Sequence, residues 1–248
     1  MLAAAQLAPP SLFAQSEPVI PEFGRGSSCV RDNDLFCWSW VKDNWSGTLQ
    51  PALLQHVALT LIAILIGAVI AFALALAAHK RGWLATPVVV ATGLLYTIPS
   101  LALFQLLVPI TGLTRTTAEI ALVSYTLLIL FRNMLAGLAG VPAEVRDAAV
   151  GMGMTDRQLL WKVELPLALP AIVAGLRIAT VTVISLATVA VFVVNEGLGA
   201  PIYSALQQTF KTELIAAGAL CVALALVADA LLVLVQRALT PWTRAARS

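Results

Sequence analysis

The chain has 248 residues, 60% of them hydrophobic and 11% charged, with a formal net charge of +2. A soluble domain carries roughly a quarter charged residues, so this composition excludes an ordinary soluble globular domain and points to a chain that lives mostly in hydrocarbon. Three cysteines (Cys29, Cys37, Cys221) and two distant histidines (His56, His79) leave almost no material for a metal cluster.

Residues 1–49 form a tail unlike the rest, with Pro9, Pro10, Pro18, Pro21 and the run Gly24 to Ser28. The opening MLAAAQLAPPSLFAQS lacks a basic n-region and has prolines in its middle, which argues against a cleaved signal peptide. From Leu35 to Trp45 the tail turns aromatic, with Phe36, Trp38, Trp40 and Trp45. This pattern suits either a segment at the membrane–water boundary or a small packed cap over the helix ends.

Residues 50–240 carry five apolar stretches, each near the ~20 residues a bilayer needs. Their expected limits are 57–78, 86–108, 118–138, 172–194 and 214–235, and residues 241–248 remain as a tail. The third is the least apolar, since it includes Glu119, Arg132 and Asn133. Lys and Arg set the orientation. With the polar stretch Val141–Pro170 inside, the inner segments hold Lys80, Arg81, Arg132, Arg146, Arg157, Lys162, Arg237, Arg244 and Arg247. The outer ones hold Arg25, Arg31, Lys42, Arg115 and Lys211, and Arg177 lies within a span. Nine against five predicts an outside N-terminus and an inside C-terminus. Trp83, Trp161 and Trp242 then fall near inner span ends. Cys29 and Cys37 would face an oxidising compartment, either bonded across a short loop or as two free thiols. Cys221 reads as a small apolar residue.

Polar groups inside spans are costly and tend to face a pathway or a partner. Tyr96, Thr97, Pro99 and Ser100 lie midway along the second span, where Pro99 removes a backbone hydrogen bond. The break is either a pathway lining, with Gln105 further on, or a packing kink. Thr180, Thr182, Ser185 and Thr188 suit interhelical hydrogen bonding. Arg177 and Asp229 lie at similar depth, so they are expected to pair, with snorkelling of Arg177 as the alternative. Asn195 and Glu196 open the segment Asn195–Gly199, which suits either a re-entrant corner at the outer mouth or an exposed loop.

Val141–Pro170 is the longest polar interruption after the tail. Pro142 and Glu144 suit a helix start. Val145, Ala148, Ala149 and Met152 form an i, i+3, i+4, i+7 stripe. Gly151 and Gly153 weaken this helix, and Thr155 with Gln158 has capping-box spacing for a second one. Pro166 is expected to end that second helix, since Leu165 is pushed out of the α region. Catalytic signatures are missing: there is no G-x-x-x-x-G-K-[ST], H-E-x-x-H or G-x-S-x-G, and Gly151-Met152-Gly153 lacks the rest of a dinucleotide fingerprint.

The spacing Asp147-Ala148-Ala149, three residues, Gly153, nine residues, Val163, one residue, Leu165-Pro166 resembles the EAA loop of ABC importer permeases. It departs from the family pattern only in Asp for Glu at 147 and Val for Ile at 163. TIPSLALF (97–104), YTLLILFRN (125–133), GLRIAT (175–180) and Gly197-Leu198-Gly199 are similar to the branch for glycine betaine, carnitine and choline, though some of these strings recur in methionine permeases. The resemblance implies an all-α, multi-pass protein of the bacterial cytoplasmic membrane with a methionine-permease-like core. It assigns coupling to an ATPase to Glu144, Asp147, Ala148, Ala149, Gly153, Val163, Leu165 and Pro166. The implied partners are ATPase subunits holding ATP and Mg, an extracytoplasmic substrate-binding protein, a second permease, identical or similar, and the bilayer. No cofactor on this chain, no catalytic residue, no metal and no nucleic acid are expected. An amino-acid cargo, or an ion-coupled transporter using Asp229 and Glu196, are the competing expectations.

Overall fold

A computed structural model describes residues 27–241. Expectations for Pro9, Pro10, Pro18, Pro21, Gly24 and Arg25, and for Trp242, Arg244 and Arg247, lie outside the described residues. Two short helices come first, α1 (Ser28–Arg31) and α2 (Trp38–Asp43), followed by a π turn at Trp45–Leu49. The long helix α3 (Gln50–Lys80) follows, then α4 (Ala85–Thr97), α5 (Ser100–Thr111) and α6 (Arg115–Ala139). Next come α7 (Ala143–Gly151), α8 (Asp156–Leu159), α9 (Leu165–Val189), α10 (Gly199–Gln208) and α11 (Lys211–Leu239).

Contacts between the helix ends fix the topology. At one end, His79 of α3 meets Glu164, Arg146 reaches the Leu138 carbonyl of α6, and Gln236 of α11 donates to the Pro170 carbonyl of α9. At the other end, Cys37 meets Thr212 at the start of α11, Gln55 meets Gly197 beyond α9, and Thr111 meets Thr117 between α5 and α6. So α3, α6 and α11 run toward the loop end, while α4–α5 together and α9 run back. These are five crossings, one of them broken. The expected topology, with the two described ends of the chain on opposite sides, follows from this order.

The third span is the least apolar yet sits at the centre. It packs on α3, α4, α5 and α9 and buries Leu122, Tyr125, Leu130, Phe131 and Leu138. Low hydropathy is tolerated there because protein, and not lipid, surrounds it. Small residues allow close approach: a Cβ on Gly67 would stand 1.9 Å from Thr126 Oγ1, and one on Gly137 would stand 3.0 Å from the Ala168 carbonyl oxygen.

The break expected at Pro99 divides the second span into two half-helices, α4 and α5, which meet at 97°. Ile98, forced out of the α region by Pro99, has φ −67° and ψ 128°, and Tyr125 Oη donates to its freed carbonyl. Pro166 does not end the second loop helix. A π turn at Leu160–Glu164 loosens the ladder ahead of the proline, and helix resumes at once as α9 with Pro166 in its first turn. The fourth span is therefore continuous with the loop. Finally, the connection between the fourth and fifth spans contains helix α10, which starts at Gly199.

The aromatic stretch forms a cap at the end opposite the loop. Val30, Cys37 and Phe210 are buried together, and Trp40 packs edge-on against Phe210 at 5.2 Å. Trp38, Trp45 and Leu35 stay exposed. The packed-cap alternative therefore describes this element, whose outer face keeps Leu35, Trp38 and Trp45 exposed.

Candidate functional site

The loop Val141–Pro170 is built as an outward face. Helix α7 starts after Pro142, with Glu144 exposed in its first turn. Only Ala149 of the stripe is buried, while Val145, Ala148 and Met152 are exposed together with Asp147 and Val150. An apolar stripe that the chain does not cover itself is available for another protein. Gly153 turns the chain with φ +80°, a conformation that side chains disfavour, and nothing stands within 4 Å of where its Cβ would be. Thr155 and Gln158 then form a full capping box. Val163, Leu165 and Pro166 are half-buried where the loop joins α9.

Behind this face lies an ion cluster that sequence reasoning missed. Glu164 is only 5% exposed. Its Oε2 is 3.0 Å from His79 Nε2, and its Oε1 is 2.8 Å from Arg146 Nε, paired by charge although that N–H is not aligned for a hydrogen bond. Arg146 Nη2 donates to the Leu138 carbonyl at 2.7 Å. The partners lie 85 and 18 residues from Glu164 in the sequence, so no periodicity links them. The one available signal was a carboxylate inside the motif itself, between Val163 and Leu165.

The predicted charge pair is brought together. Arg177 Nε donates to Asp229 Oδ1 at 2.8 Å and Nη2 to Oδ2 at 3.0 Å, a two-pronged contact tying α9 to α11. Both side chains are about one-third exposed at the edge of the bundle. Cys29 and Cys37 are disulfide-bonded with a Cα separation of 5.9 Å.

The predicted path residues divide. Tyr96 is exposed at the bend and packs edge-on against Tyr125 at 5.8 Å. Thr97 Oγ1 donates to the Leu94 carbonyl, and Ser100 starts α5 beyond the exposed Pro99. Gln105 is exposed further along α5 and makes no hydrogen bond with these groups among the described residues. Asn195 and Glu196 lie apart from the bend, at the end opposite the loop. Asn195 is exposed, while Glu196 is 3.7 Å from Arg115, which also faces Glu119 at 3.7 Å. The corner after them is held by two neighbouring side chains of α3. Gln55 Oε1 accepts from Gly197 N, and His56 Nδ1 accepts from Leu198 N at 3.2 Å. The proton of His56 therefore sits on Nε2, 3.0 Å from the Ile184 carbonyl. The segment is a packed corner held against α3 and not a free loop.

Five crossings, a broken second span and an outward-facing helical loop describe a multi-pass membrane protein. Residues 63–245 match the family described as binding-protein-dependent transport system inner membrane component, and the chain belongs to that family. Among curated relatives, the choline transport system permease protein OpuBB of Bacillus subtilis is 34% identical over 79% of this chain and 90% of its own length. The osmoprotectant import permease protein OsmW of Salmonella typhimurium is 36% identical over 82% of this chain and 96% of its own. A chain of the inward-facing MetNI methionine ABC transporter superposes with a TM-score of 0.70 at 20% identity, covering 80% of this chain and 99% of that one, which establishes the fold.

Proposed function

We propose that this chain carries a small compatible solute, a quaternary amine such as glycine betaine, choline or carnitine, across the inner membrane as the permease of an ATP-driven importer. The observation that carries the ATP-driven part is the uncovered α7–α8 face, whose stripe of Val145, Ala148 and Met152 is exposed at the loop end. The solute class rests on the relatives, whose names give choline and osmoprotectants as their cargo. ATP and Mg belong to a separate ATPase, with Glu144, Asp147, Ala148, Ala149 and Gly153 as its contact and Val163, Leu165 and Pro166 as the root of the loop. A binding protein delivers solute at the opposite end, near Asn195 and Glu196. A second permease completes the pathway, and the bend at Tyr96, Thr97, Pro99 and Ser100 lines it. Alternating access follows, with the half-spans α4 and α5 as the element whose bend changes.

The test is co-purification with an ATPase, then a scan of quaternary amines and amino acids for stimulated ATP hydrolysis in the presence of the binding protein. Choline-type solutes should stimulate. Stimulation by amino acids alone would replace the cargo, and transport by this chain without an ATPase would overturn the reading. Gly153→Trp, which adds bulk to the face and a side chain at φ +80°, should remove stimulation while the permease still inserts.

A further inference from the structure

The loop has little apolar attachment to the spans. Between residues 143 and 163, Ala149 and Leu160 are the only buried side chains. A loop held so lightly would bend under a push from a partner and pass little of that push on. What ties it down is polar. Glu164, on the π turn, uses one carboxylate oxygen toward Arg146 of α7 and the other toward His79 in the last turn of α3. Arg146 also donates to the Leu138 carbonyl, one of the carbonyls left without an intrahelical partner at the end of α6. Four elements are thus linked through the Glu164–Arg146 pair: the ends of α3 and α6, the loop helix α7 and the root of α9.

Two further features make the junction stiff. Next to it, Gly137 of α6 lies against the Ala168 carbonyl and the methyls of Ala168 and Ala171 in α9, so only small groups stand between these helices. The π turn at Leu160–Glu164 also adds no flexible coil, because helix runs from Asp156 to Phe192 through it. A buried carboxylate shared by two cationic or donor groups is poor value as glue, since desolvation offsets much of the attraction. The hydrogen bond on Oε2, the ion pair at 2.8 Å on Oε1 and the tie from Arg146 to the Leu138 carbonyl are better suited to holding parts in register.

We propose that Glu164 is a positioning residue, the rigid joint through which movement of the α7–α8 face is passed to the inner ends of spans one and three as well as to span four. This rests on the reading above that the face meets an ATPase. The joint makes the coupling loop, α3, α6 and the root of α9 move as one body. The movable parts are then the half-spans α4 and α5, which make no hydrogen bond or ion pair with the cluster among the described residues, while α11 follows α9 through the Gln236–Pro170 and Arg177–Asp229 contacts.

The test uses the assembled transporter with Cys221→Ser, which removes the one free thiol among the described residues. Spin labels are placed at Val69→Cys on α3 and Ala143→Cys on α7, both exposed positions, and labelled chain is diluted into unlabelled chain. In the wild-type background the distance between labels should be the same with and without vanadate-trapped nucleotide. With Glu164→Gln it should differ between the two states, while assembly and basal hydrolysis stay within about twofold and solute-stimulated hydrolysis falls at least about tenfold. A wild-type distance that shifts on trapping, or full stimulation in Glu164→Gln, overturns the joint. Should Glu164→Gln fail to insert, Arg146→Gln breaks the same junction from the less buried side and is read by the same criteria. If wild-type chain does not co-purify with an ATPase, it is the proposed function that fails.

Discussion

Substituting Gly175 by alanine tests whether the α6–α9 crossing depends on contact between main chains. A Cβ built at Gly175 lies 2.5 Å from Asn133 Cβ, whereas ordinary contacts begin at 3.4 Å. Asn133 cannot turn away, because its Cβ is fixed to the backbone of α6 and its Nδ2 is engaged with the Ile129 carbonyl at 2.8 Å. The two helices must therefore separate by about 1 Å, and a gap of that size forfeits a quarter to a half of each dispersion contact along the seam. Overpacking of this kind costs about 1–3 kcal/mol. The control is Gly93→Ala, a helical position with nothing within 4 Å, where alanine gains up to about 1 kcal/mol of helix propensity. Thermal unfolding of the detergent-solubilised chain, followed by monodispersity on a sizing column, should place Gly175→Ala several degrees below wild type, with Gly93→Ala at or above it. Equal midpoints for the two variants would refute the close-packed seam.

Two further substitutions probe the remaining polar contacts. Arg177→Asp and Asp229→Arg should each lower the amount of permease recovered from membranes, and the double exchange should restore it, since the two-pronged contact links α9 and α11. If the double variant is no better than the singles, the pair adds nothing to assembly. His56→Leu should leave the Leu198 N–H buried without its acceptor, at a cost of about 1–3 kcal/mol. Limited proteolysis at the Asn195–Gly199 corner should then become faster; an unchanged cleavage rate would show that Gln55 alone holds the corner.

The breaks in this structure share a local cause. Pro99 and Pro166 each follow a hydrophobic residue, Ile98 and Leu165, yet one produces a 97° bend and the other leaves the helix continuous. At Pro99 the chain uncoils for one residue, and Tyr125 across the interface takes the freed carbonyl of Ile98. At Pro166 the ladder has already widened into a π turn, so the ring finds room and the helix continues. The difference comes from the neighbours and not from the proline.

Much of the architecture was present in the sequence because its causes are local. Twenty-residue apolar runs must form helices in hydrocarbon, where each backbone group has to be satisfied within its own segment. Lys and Arg placement gave the orientation, and the Thr155–Gln158 box and the Asp147–Pro166 spacing marked the loop helices and the family they belong to. The Arg177–Asp229 pair was also legible, because two charges at one depth have few other ways to be tolerated. The tertiary structure decided what depends on neighbours distant in sequence. It placed the least apolar span at the centre, carried α9 through Pro166, and folded the second span into two half-helices. It also gathered His79, Leu138, Arg146 and Glu164 at one junction and His56 with Leu198 at the other end. Residues tens of positions apart leave no periodic trace in the chain, and only packing brings their charges within reach of each other.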